Sequence, residues 1–120
     1  MKNLKSLLIA AFTIFISVSF AQTKNVLFLG NSYTGVNNLP LLTYNVALSL
    51  GDTINYDSNA PGGYTYEGHS TNATSLAKIA QGNWDFVVLQ EQSQKPSFPP
   101  SQVATEVYPY AQILVDSIKS

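Results

Sequence analysis

Three strand-like runs alternate with three segments of helical periodicity, and this alternation constrains the fold more than any other feature of the sequence. The runs that predict strands are Val26–Leu29, Thr53–Ser58 and Trp84–Leu89. The segments that predict helices follow them at 39–50, 67–79 and 102–118. Because such repeats connect parallel strands through helices, the pattern predicts an α/β fold with a parallel sheet and helices packed on both faces.

The helical segments contain apolar residues at helical spacing, and their flanking residues indicate where each helix begins or ends. In the first segment Leu42, Val46 and Leu50 recur at helical spacing before Gly51, a common helix terminator. The last segment is expected to begin after Ser101, a residue type that caps helices. It ends where a fourth strand is due, and a parallel sheet of three strands with two unpaired edges is a poor independent fold. We therefore expect residues 22–120 to be the N-terminal part of a larger domain, truncated after its third strand–helix unit.

The first 21 residues have the composition of a secretory signal peptide. Lys2 and Lys5 precede the apolar run from Leu7 to Phe20, and small residues occupy the positions before a cut after Ala21. The alternative is a retained membrane anchor, but the run is shorter than the roughly 20 residues that span a bilayer. The leader therefore predicts a secreted or periplasmic protein with no stable membrane anchor after cleavage.

The composition of the remaining chain excludes one class of partner. Residues 22–120 contain four lysines against seven acids, a net charge of −3, and the sequence has no arginine. Nucleic-acid binding needs a surplus of basic side chains, so no nucleic-acid partner is expected. The sequence also has no cysteine, so an exported form would be stabilised by burial of apolar surface and not by disulfides.

Three loops rich in small or hydrogen-bonding residues follow the three predicted strands. They are Gly30–Thr34, Pro61–Thr65 and Gln90–Gln94. Because ligands of open parallel sheets bind beyond the carboxyl ends of the strands, these loops are expected to form the functional site.

Within the first loop, Ser32 is a candidate nucleophile. Gly30 allows a tight turn directly after the strand, and nearby backbone N–H groups would stabilise an oxyanion formed when the hydroxyl attacks a carbonyl. In the second loop, the Gly63 N–H is a candidate donor to the same oxyanion, and the third loop offers side-chain amides. The alternatives are a helix cap at residues 31–34, an ordinary Pro-Gly turn at 61–63 and a solvated loop at 90–94.

Taken together and in order, these loops resemble the sequence blocks of the SGNH hydrolases, the GDSL-type esterases and lipases. Gly30-Asn-Ser-Tyr-Thr34 is similar to the first block, Gly63 matches the glycine of the second, and Trp84–Leu89 with the following Gln-Glu-Gln-Ser is similar to the approach to the third. The details are closest to a secreted bacterial branch that is largely uncharacterised. Residues 22–120 are thus interpreted as the N-terminal part of an SGNH hydrolase-like domain.

The resemblance implies a flavodoxin-like three-layer α/β/α sandwich and ester hydrolysis through an acyl-enzyme, with no metal or organic cofactor. Ser32 would be the nucleophile. The oxyanion would be held by the N–H groups of Ser32 and Gly63 and by the Gln94 side chain, with Gln92 as the alternative. Asn31, Tyr64 and His69 are expected to contact substrate.

Two features depart from the family pattern. The third-block asparagine is replaced by glutamine, and no Asp-x-x-His block occurs in the 120 residues. His69 is the only histidine, and its other interpretations are a substitute general base or a residue that caps or packs the second helix. The expected substrate is a small-molecule or carbohydrate ester, such as an O-acetylated sugar. The rival hypothesis is a non-catalytic carbohydrate-binding or interaction module, or an inactive fragment.

Overall fold

The structure, a computed structural model, describes residues 22–120. Its strands are β1 (Thr23–Leu29), β2 (Thr53–Asn59) and β3 (Phe86–Leu89). Its helices are α1 (Ser32–Gly35), α2 (Leu39–Ser49), α3 (Tyr66–Thr71), α4 (Ala73–Ile79), α5 (Pro100–Glu106) and α6 (Tyr108–Lys119), with a 3₁₀ turn at Lys95–Ser97. The signal peptide predicted for residues 1–21 lies outside the described residues. Within residues 22–120, no helix has the length and apolar character needed to cross a bilayer.

The three strands form one parallel sheet in the order β2-β1-β3, with β1 in the middle. Val26 of β1 pairs with Tyr56 on one side and Phe86 on the other. All four residues of the apolar run Val26–Leu29 are buried, as expected for a strand covered on both faces. The predicted α/β fold with a parallel sheet is therefore confirmed.

Helices lie on both faces of this sheet. On one face, Leu27 and Leu29 of β1 form the main core cluster with Ile79 of α4 and Leu114 of α6. On the other face α2 packs over β2, and the ring centroids of Tyr44 and Tyr56 lie 6.1 Å apart. The α2 face is covered unevenly, since Phe86 and Val88 of β3 point to this side and are 58% and 37% exposed.

The predicted first helix is present, but its apolar stripe does not face the sheet. Leu42, Val46 and Leu50 are 51%, 60% and 76% exposed. Within α2 only Pro40 is buried, and Tyr44 is partly buried against β2. The segment is apolar on several sides, so its periodicity alone does not define one inward face.

The second and third predicted helices are each divided in two. Asn72 adopts an extended conformation between α3 and α4, and its side chain accepts a hydrogen bond from Ser75 N, so it caps a new helix. The last segment begins at Pro100, one residue before the expected cap Ser101, and is interrupted at Val107. Pro109 lies in the first turn of α6, because proline has no N–H to continue the preceding helix.

Candidate active site

Ser32 lies at the carboxyl end of the central strand, where the chain leaves the sheet and enters α1. Its side chain is exposed, and with Tyr33, Val36 and Asn37 it lines an open groove of about 390 Å³. None of the hydrogen bonds among residues 22–120 uses Ser32 Oγ. Ser32 therefore presents its hydroxyl at the edge of the sheet where ligands of parallel α/β proteins bind.

Asn31 explains why the chain turns sharply before this serine. Its Oδ1 accepts a hydrogen bond from Tyr33 N at 3.1 Å, which makes Asn31 the cap of α1. Its Nδ2 donates to the Tyr64 carbonyl at 2.9 Å, and the residue is only 2% exposed. Asn31 was expected to contact substrate. The structure instead places its side chain under the turn, where it joins the turn to the loop after β2.

The φ of Gly30 lies outside the left-handed region, so its backbone conformation does not require glycine. Glycine is needed because two neighbouring side chains, Thr34 and Gln90, lie very close to where a Cβ would be. A Cβ on Gly30 would lie 2.3 Å from Thr34 Oγ1 and 2.7 Å from Gln90 Oε1. Both distances are far shorter than van der Waals contact. The absence of a side chain at Gly30 therefore lets a strand, a helix and the loop after β3 meet directly beneath Ser32.

The side chain of Gln90 joins the loop after β3 to the turn that carries Ser32. Its Oε1 accepts hydrogen bonds from Asn31 N and Thr34 Oγ1, each at 3.0 Å. Its Nε2 donates to the carbonyl of Glu91. The sequence prediction chose the later glutamines, although Gln90 is the first residue after the apolar run of β3. In the structure Gln90 N donates to Leu29 O at 2.9 Å.

Gln92 and Gln94 serve the 3₁₀ turn that follows. Gln92 Oε1 accepts hydrogen bonds from Gln94 N at 2.8 Å and from Lys95 N at 3.2 Å. The Gln94 side chain is exposed, and among the described residues it forms no hydrogen bond to the turn of Ser32. The structure therefore does not bring the two amides predicted for the oxyanion site into contact with that turn.

Gly63 occupies a tight turn in the loop after β2. Its φ is +73°, a left-handed angle that favours glycine, and Tyr64 N donates to Pro61 O across the turn at 3.3 Å. Gly63 N donates to no other described residue, so it is available to a ligand. Tyr64 is half-buried, and its hydroxyl accepts a hydrogen bond from Asn72 Nδ2 at 2.9 Å. That contact places the Tyr64 ring among protein groups and not on the groove beside Ser32.

His69 lies beneath the site and is fully buried. Its Nε2 is 2.8 Å from the Gly30 carbonyl and its Nδ1 is 2.7 Å from Ser75 Oγ. Because a carbonyl only accepts, Nε2 must carry the proton, and in the neutral ring Nδ1 accepts from the Ser75 hydroxyl. Neither nitrogen is left for substrate or for Ser32, so His69 does not contact substrate as expected. It is instead a buried packing residue that supports the turn, in line with its packing interpretation.

Ser75 and His69 are a second serine–histidine pair, and their spacing is that of a nucleophile and its base. Both residues are 0% exposed, and Ser75 Oγ also accepts a hydrogen bond from Asn59 Nδ2 at 2.9 Å. No substrate can reach this hydroxyl. The pair is therefore a buried polar link between α4, α3 and the exit of β1.

Glu91 adds a negative charge at the same edge of the sheet. It is 8% exposed, and its carboxylate accepts hydrogen bonds from Tyr66 N at 3.1 Å and from Gln92 N at 2.6 Å. The first of these satisfies an N–H at the start of α3. Burial, together with the Glu91 charge, raises the pKa of the Tyr66 phenol. Glu91 thus anchors a helix, a role that its place in a polar loop did not predict.

The environment of His69 predicts how stability depends on pH. Burial lowers its pKa below the ordinary value of 6.5, and hydrogen bonding to Gly30 and the charge of Glu91 oppose this only in part. Between the folded and unfolded pKa values the unfolded chain binds more protons, so stability falls as pH drops below about 6.5 and levels off below the folded pKa. Urea unfolding between pH 5.5 and 7.5 measures this change.

NMR of the imidazole ring gives a direct check, because the chain has one histidine. We expect the ring resonances of the folded protein to show no titration at pH 6.5. A His69→Gln variant is expected to lose most of the pH dependence of unfolding in this range. A ring that titrates at or above 6.5 would contradict the buried, neutral assignment.

Ser32 thus carries an exposed hydroxyl on a turn that Asn31 and Gln90 hold, and neither the Ser32 N–H nor the Gly63 N–H donates to another described residue. No group of three potential metal ligands occurs among residues 22–120. No protein-family model, curated protein or solved structure matches this chain.

Proposed function

We propose that this chain carries the nucleophile of an SGNH-type serine esterase that is exported from a bacterial cell. The observation that carries the proposal is the exposed Ser32 hydroxyl on a turn held by buried side chains at the exit of the central strand. The strand order β2-β1-β3 supports it, because the flavodoxin-like sheet begins with the same order.

In the proposed reaction, Ser32 Oγ attacks the carbonyl carbon of an ester and forms a tetrahedral oxyanion. The N–H groups of Ser32 and Gly63 donate hydrogen bonds to that oxygen. Collapse of the intermediate releases the alcohol and leaves an acyl-serine, which water hydrolyses. His69 is excluded as the general base by its two buried contacts. We assign that role to an Asp-x-x-His pair of the SGNH type, which does not occur in the 120 residues.

The groove beside Ser32 favours an uncharged substrate. Its lining contains an aromatic ring, an aliphatic side chain and a carboxamide, contributed by Tyr33, Val36 and Asn37, and no charged group. Tyr33 is 71% exposed, so its face is available for contact with a sugar ring or an acyl group. We therefore propose a small acyl ester, such as an O-acetyl group on carbohydrate, as the substrate class.

Covalent labelling with a fluorophosphonate tests this proposal on the native, full-length product. The probe reacts with activated serines, so we expect one adduct, located on Ser32 by peptide mass mapping. Heat-denatured protein is the control and should remain unlabelled. An adduct on another serine, or no adduct on the native product, would contradict the proposal.

A non-catalytic carbohydrate-binding module is the second candidate. It is favoured by the burial of both His69 nitrogens, since no described residue then supplies a base for Ser32. The two candidates differ in the labelling experiment. A binding module would bind an acetylated oligosaccharide with Ser32 unlabelled, and the same sugar would be recovered unchanged.

A further inference from the structure

We infer that Gln90 is a positioning residue, whose side-chain oxygen fixes the backbone on both sides of the nucleophile. The inference rests on the proposed function of Ser32. Gln90 does not touch Ser32 Oγ. It acts on the segment that carries this hydroxyl, by accepting from Asn31 N on one side and from Thr34 Oγ1 on the other.

The orientation of the Gln90 carboxamide follows from its partners. Asn31 N can only donate and the Glu91 carbonyl can only accept, so the Gln90 oxygen must face Asn31 N and the amide nitrogen must face Glu91. The Thr34 hydroxyl then donates to the same oxygen. Reversing the carboxamide would set the amide nitrogen against the Asn31 N–H and the oxygen against the Glu91 carbonyl. One orientation of the Gln90 carboxamide is therefore strongly preferred, and Oε1 is held in a fixed position.

The backbone of Gln90 is held as firmly as its side chain. Gln90 N donates to Leu29 O at 2.9 Å, which extends the pairing of β3 with the central strand by one residue. The contact point is therefore part of the sheet. Because Asn31 N and Thr34 Oγ1 donate to the Gln90 side chain, the turn that carries Ser32 is fixed relative to the sheet.

A nucleophilic hydroxyl must be held in a defined position relative to the substrate carbonyl. A displacement of about 1 Å in an attacking atom can lower a catalysed rate by about 100-fold, and Gln90 is not among the residues that line the groove beside Ser32. Loss of the Gln90 oxygen is therefore expected to reduce kcat and to leave KM nearly unchanged. Loss of a merely stabilising contact would reduce the amount of folded protein without changing kcat per folded molecule.

The experiment compares three variants of the native, full-length product in hydrolysis of p-nitrophenyl acetate. Gln90→Met preserves length but has no strong acceptor, and we expect kcat to fall about 100-fold with KM within about twofold. Gln90→Glu keeps an acceptor oxygen and should retain kcat within about tenfold. Ile79→Val removes a methyl group from the core cluster and is the stability control, with unchanged kcat. A Gln90→Met variant that keeps kcat within about twofold of wild type would overturn the assignment to the acceptor oxygen.

Amide hydrogen exchange supplies a readout that does not depend on esterase activity. Gln90→Met should raise exchange at Asn31 N by at least about tenfold, while Leu27 and Phe28 in the same strand stay protected. Unchanged exchange at Asn31 would overturn the inference. If Ser32 proves unreactive in the wild-type product, the proposed function fails, and the Asn31 exchange rate alone then decides whether Gln90 holds the turn.

Discussion

Replacing Ser32 with alanine is expected to reduce ester hydrolysis by the native, full-length product by about 10⁴-fold or more, because the variant has no atom to form the acyl-enzyme. The Ser32 side chain is exposed and makes no hydrogen bond to another described residue. The substitution should therefore leave folding intact. Initial rates with p-nitrophenyl acetate and the yield of acyl-protein in rapid-quench mass spectrometry measure the loss.

A second exposed serine provides the matched control for this variant. Ser101 lies in the first turn of α5, away from the groove beside Ser32, and its side chain is exposed. Ser101→Ala should hydrolyse the ester at the wild-type rate. A Ser32→Ala variant that kept even a tenth of the wild-type rate would show that another group performs the attack.

Replacing Gly30 with alanine is expected to reduce the free energy of unfolding by about 3 kcal/mol or more. The added Cβ would overlap Thr34 Oγ1 at 2.3 Å and Gln90 Oε1 at 2.7 Å. These groups cannot move apart without breaking the hydrogen bonds that Gln90 Oε1 accepts from Asn31 N and Thr34 Oγ1. The substitution therefore combines steric overlap with loss of two partly buried hydrogen bonds. Urea unfolding followed by tryptophan fluorescence gives the free-energy difference.

Gly62 is the control for this second substitution. A Cβ at Gly62 would meet no atom within 4 Å, and its φ is not positive. Gly62→Ala should change the unfolding free energy by no more than about 0.5 kcal/mol. Similar losses in the two variants would mean that close packing at Gly30 does not stabilise the turn.

The sheet was predictable from sequence because its signals are local. Val26–Leu29 and Phe86–Leu89 are short, apolar and bounded by polar residues, and both form strands as predicted. Strand–helix alternation was enough to infer parallel pairing. The interruption at Val107 was missed because apolar periodicity continues through it, although Pro109 was a visible warning. The interruption at Asn72 was missed because this capping residue, within a polar stretch, was assigned to the helix interior.

The contacts of the candidate site were less predictable. The sequence indicated which loops would gather at one edge of the sheet, and Ser32 is exposed there. It did not indicate that Gln90 would reach the turn or that His69 would bond to the Gly30 carbonyl, because these contacts join residues 59 and 39 positions apart. A side chain's partner over such a separation depends on packing, which a local pattern does not encode.

The order of strands has a further consequence for when Ser32 acquires its geometry. β1 is synthesised before the other strands but lies in the middle of the sheet. The acceptor of the Asn31 N–H is Gln90 Oε1, which lies 59 residues later in the chain. Contacts that close such long segments form slowly compared with local helices. During synthesis the Ser32 segment therefore leaves the ribosome without its partners, and the hydroxyl takes up its fixed position only after β3 has been made. The topology therefore delays assembly of the turn that carries Ser32 until the sheet around it exists.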